Sequence, residues 1–65
     1  MDLSTFNCLE KGNKVWHKSG GFLTLRFVKS NKLIRGKRVV TLERGDLNPK
    51  TVTETNRDNL QFNLL

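Results

Sequence analysis

A chain of 65 residues with a formal net charge of +6 and one cysteine, Cys8, has room for a single small domain and cannot form an intrachain disulfide scaffold. A domain of this size buries only about 60% of the surface its unfolded chain exposes, which leaves little material for a deep enzymatic cleft. Hydrophobic residues make up 35% of the chain, and they gather in short runs, as in a folded chain rather than a disordered tail.

The charge is segregated. Residues 1–10 sum to −2, residues 11–44 to +9 and residues 45–65 to −1, so ten of the twelve basic residues share a window with one acid, Glu43. Clustered charge costs self-repulsion in the compact state and is kept either for solubility or to meet an anion. The first ten residues carry Asp2 and Glu10 and no lysine or arginine, unlike a signal peptide. No stretch approaches the roughly 20 apolar residues of a membrane span. With a lone cysteine, this reads as a cytoplasmic chain with no membrane partner.

Period-2 alternation dominates, and helical patterning is almost absent. Residues 1–10 read as an N-terminal extension and residues 11–65 as one β domain. After Gly12-Asn13, Lys14 to Lys18 forms a first strand, and Ser19-Gly20-Gly21 supplies the loop. Phe22 to Lys29 is a second strand, with Leu23, Leu25 and Phe27 on the core face and Thr24 and Arg26 toward solvent. Ser30 to Gly36 is expected to form a hairpin tip with Leu33 and Ile34 exposed. Lys37 to Arg44 sets Val40 and Leu42 on one face and Val39, Thr41 and Glu43 on the other.

Gly45 to Lys50 ends that strand and reverses the chain. Thr51 to Thr55 is a threonine-rich strand near an edge, Asn56 to Asn59 a tight turn or one 3₁₀ turn, and Leu60 to Leu64 a closing strand. Five short strands in about 50 residues predict an all-β fold, a small five-stranded antiparallel barrel of SH3-like type, because an open sheet this small leaves unpaired edges. An oligonucleotide-binding barrel is the alternative, although those use more residues and a helix.

Two segments resemble known families. Gly12-Asn13-Lys14-Val15-Trp16-His17-Lys18-Ser19-Gly20-Gly21 is similar to the opening of small uncharacterised bacterial SH3-like proteins, which begin Gly-Asp-x-Val-x-Leu-Lys-Ser-Gly-Gly and continue into a Met-Thr-Val strand. Leu23-Thr24-Leu25 would take that strand's place here, and Asn13 stands where the family has Asp. KOW modules and the C-terminal domains of retroviral-type integrases share the opening loosely. Thr55 to Phe62 likewise resembles the 3₁₀-then-strand ending of SH3-like barrels. The resemblance implies a fold, while one fold hosts many unrelated activities.

Lys29, Lys32, Arg35, Lys37 and Arg38 place five cations in ten residues without an acid. On a hairpin such a set can face a phosphate backbone; it can also be a solvated loop whose lysines discourage edge-to-edge association. Lys11, Lys14, Lys18, Arg26 and Arg44 add to the same field. If Val15 points inward, Trp16 is exposed beside Lys14 and Lys18, where an aromatic ring can stack on an unpaired base; a packing role for a lone Trp is the other reading. Arg26 is a candidate phosphate contact.

The expected function is therefore a basic module that binds nucleic acid, DNA or RNA, through Trp16, Lys18, Arg26, Lys29, Lys32, Arg35, Lys37 and Arg38, with little sequence specificity. The alternative is an adaptor or inhibitor of the kind a phage or mobile element encodes, gripping an acidic protein and anchored by Trp16, Leu33 and Ile34. Leu33, Ile34, Leu64 and Leu65 could equally meet a second copy of the chain. His17 and Cys8 lack neighbours at metal-ligand or catalytic spacing, so neither a metal cofactor nor enzymatic activity is expected.

Overall fold

A computed structural model describes residues 1–63. The chain folds as a helix α1 (Leu3–Asn7), strands β1 (Lys14–Ser19), β2 (Phe22–Ile34), β3 (Lys37–Arg44) and β4 (Leu47–Thr53), a 3₁₀ helix (Glu54–Asn59) and a short β5 (Leu60–Gln61). The strands form one antiparallel sheet in the order β4-β3-β2-β1-β5. The all-β class and the strand count agree with the sequence reading. The closed barrel does not: β4 pairs only with β3, β5 only with β1, and the sheet stays open between them. β5 ends at Gln61, and Phe62 and Asn63 form a bend, where the sequence reading carries the strand on toward Leu64; Leu64 itself, and the apolar patch expected at Leu64 and Leu65, lie outside the described residues.

One face of the sheet holds the core. Val15, Val28, Val40, Leu42, Val52 and Leu60 are buried there, joined by Phe6 and Leu9 from the N-terminal segment. Residues 1–10 are therefore part of the core, where the sequence reading set them aside as an extension. Asp2 caps α1 by accepting the Thr5 amide on Oδ1 at 2.7 Å, and this bond holds its carboxyl below the usual carboxylate range. From β2, the Asn31 side-chain amide donates to the carbonyls of Phe6 and Asn7, in the last turn of the helix, and of Leu9 just beyond it.

Turn length decides the facing of β2. Gly20 and Gly21 sit at φ 58° and 83° and make a two-residue connection that pairs Ser19 with Phe22. Val15 then faces Arg26, and Trp16 faces Leu25. Arg26 and Val28 point inward, while Leu23 and Phe27 are each 38% exposed. This reverses the face expected from hydrophobicity alone. A bulge at Lys29, between the Val28–Leu42 and Ser30–Thr41 pairs, then shifts the alternation so that Asn31 faces inward opposite the buried Val40.

Beyond it, β2 runs on to Ile34, five residues past the expected strand end at Lys29. The hairpin closes on Arg35-Gly36 alone, at φ 52° and 79°. A second irregularity, between the Leu42–Lys50 and Arg44–Leu47 pairs, gives β4 one extra residue at Asn48-Pro49. Proline suits that place, an edge strand where no ladder donor is required.

Candidate nucleic-acid interface

The register of β1 on β2 builds the outer face of the sheet. Lys14 pairs with Phe27, Trp16 with Leu25 and Lys18 with Leu23. Each directly opposed pair brings its Cβ atoms within about 5.5 Å. The result is an aromatic and aliphatic stripe flanked by lysines: Lys14 and Lys18 are exposed, and Trp16 and Leu25 half-buried. Gln61 of β5 lies opposite Trp16 on the other side. Glu43, paired with Phe27, is the acid nearest the stripe in the register.

The same face continues up the hairpin. Lys32 pairs with Val39 and Ile34 with Lys37, in phase with Thr41 and Glu43 below them. Lys29 is exposed at the bulge between the two halves. Seven residues separate Leu25, beside Trp16, from Lys32, about 23 Å of strand at 3.3 Å per residue. Lys14, Lys18, Lys32 and Lys37 therefore share one face with Trp16 and Phe27.

The other expected contacts separate from this set. Arg35 lies in the turn, and Arg38 is half-buried on the opposite side of the hairpin, paired with Leu33. Arg26 does not share the outer face, where the sequence reading expects it: it is 6% exposed on the inner face, with Nη1 donating to the Asn48 carbonyl at 3.1 Å. Among the described residues, no lysine or arginine side chain forms an ion pair with a carboxylate. The outer-face lysines thus keep their charge available.

Phe27 is the residue of this face that reading the sequence for a site left out; Lys14 was read there only as part of the surrounding basic field. The two-residue Gly20-Gly21 connection was the signal for Phe27, since it sets which β2 residues share a face with Trp16; Lys14 joins that face by alternation along β1. His17 is 8% exposed and Cys8 is exposed. Among the described residues, no group of three or more His, Cys, Asp or Glu side chains could hold a metal ion, and no helix is long and apolar enough to cross a membrane.

Comparison of the chain with protein-family models, with curated proteins and with solved structures returns no match.

Proposed function

We propose that this protein is a small binding module that takes nucleic acid on the outer face of β1, β2 and β3. Lys14, Lys18, Lys29, Lys32 and Lys37 contact phosphates, Trp16 and Phe27 meet bases, and Arg35 reaches the backbone from the hairpin turn. The observation that carries this reading is the alternation of cation and ring across β1 and β2, with no ion pair among the described residues drawing the lysines away. Lysines neutralise phosphates without reading base edges, so affinity depends steeply on salt and weakly on sequence. Trp16 and Phe27 stand on a diagonal of the ladder, and stacking on such rings tolerates any base.

Gel-shift titration with single-stranded DNA, duplex DNA and RNA probes at two salt concentrations tests the reading. Binding that weakens with salt on every sequence supports it, and a failure to shift any probe at low salt overturns it. A second reading draws on the hairpin end, where Leu33 and Ile34 are 62% and 49% exposed among cations. An acidic protein partner could cover those side chains and Trp16, and a pull-down partner that survives nuclease treatment would favour it.

A further inference from the structure

The open end of the inner face gathers three basic side chains that the outer-face reading does not use. From the core toward the Gly20-Gly21 turn, the rows are Val15 with Arg26, His17 with Thr24, and Ser19 with Phe22. Exposure rises along them, from Val15 at 0% through Arg26 at 6% and His17 at 8% to Phe22 at 77%. Lys50 of β4 pairs with the inward-facing Leu42. The Asn48 carbonyl, at the β4 bulge, holds Arg26 Nη1 and so brings the edge strand beside this end of the face.

The chemistry there is incomplete. Arg26 carries a full positive charge more than nine-tenths buried, and no carboxylate pairs with it or with Lys50 among the described residues. Arg26 Nε and His17 Nδ1 are both buried, and neither has a hydrogen-bond partner among the described residues. Arg26 and Lys50 also lie close enough to His17 to oppose its protonation. Buried polar groups and buried charges normally have partners. A ligand bringing negative charge and acceptor oxygens would supply both, and a planar guanidinium is suited to an oxyanion.

We propose that His17, Arg26 and Lys50 form a binding site for a phosphate-class oxyanion at the open end of the inner face. The site lies across the sheet from Trp16 and does not rest on the outer-face reading. Arg26 supplies the buried charge, Lys50 the exposed charge at the entrance, and His17 a ring nitrogen that donates once protonated beside the anion.

The test is an NMR titration of the full chain with inorganic phosphate, against sodium chloride at matched ionic strength, following the ring protons of the only histidine. A saturable shift of the His17 signals with phosphate and not with chloride is expected, together with a rise of its pKa in the bound form. Lys50 is exposed, so Lys50→Met should fold normally and bind phosphate about tenfold more weakly, the size of one charge-assisted contact. A chloride response equal to that of phosphate, or unchanged affinity in Lys50→Met, overturns the proposal. A short oligothymidylate separates the sources: competition with phosphate at the His17 ring assigns the site to a nucleic-acid phosphate, and a ring shift by phosphate alone assigns it to the free anion.

Discussion

Asn31 donates its side-chain amide to the Leu9 carbonyl at 2.9 Å and thereby ties the N-terminal segment to the middle of the sheet. The same amide reaches the carbonyls of Phe6 and Asn7 at 3.3 Å. Replacing it with alanine takes this donor from the part-buried Leu9 carbonyl, a loss of about 1–3 kcal/mol. Asn31→Ala should therefore lower the urea midpoint with an unchanged slope. A midpoint equal to that of the native chain would show that the N-terminal segment docks through Phe6 and Leu9 alone.

His17 makes stability depend on pH in one direction. Burial first, then the charges of Arg26 and Lys50, hold its folded pKa below the ordinary value of 6.5. The unfolded chain therefore takes up the proton first as the pH falls. Stability from this group is complete above about 6.5, declines as the pH drops through that value, and levels off below the folded pKa. The decline cannot exceed about 1.4 kcal/mol per pH unit, the limit for one proton. Denaturant midpoints measured from about pH 7 to about pH 5.5 should fall in the native chain and stay flatter in His17→Gln; parallel curves would assign the effect elsewhere.

Much of the fold was legible because strand alternation and turn residues agree over β1, β3 and the 3₁₀ segment, and Val40 and Leu42 face inward as their spacing requires. The facing of β2 was not, and the reason is a single residue of turn length. A three-residue loop, Ser19-Gly20-Gly21, would pair Val15 with Leu25 and send the leucine stripe into the core. The two-residue turn pairs Val15 with Arg26 instead, and a one-residue slip moves every side chain to the other face. The outward facing of Trp16 and Lys18 was readable because it depends only on Val15 pointing inward. The side of the sheet that Arg26 occupies was misread because it depends on that turn. The helix escaped notice because five residues are too few to show a period, although Asp2 is a fair capping residue.

The bulge at Lys29 gives this argument a direct check. Its side chain is exposed, so Lys29→Ala should change stability by no more than about 0.5 kcal/mol. Deleting the residue is different in kind: it removes the phase shift that lets Val28 and Asn31 both face inward. The deletion should cost more than about 3 kcal/mol or abolish the cooperative transition in thermal denaturation. A deletion as stable as the alanine variant would contradict the observed register.

The outer face is tested most directly by Trp16 fluorescence during titration with oligothymidylate at a series of salt concentrations, in the native chain and in a Lys14→Gln, Lys18→Gln variant. The account predicts quenching on binding and a linear fall of log affinity with log salt. In the variant that slope should be shallower by about 1.4, or 0.7 per lysine on a single strand. Unquenched fluorescence, or a slope that both chains share, would contradict it.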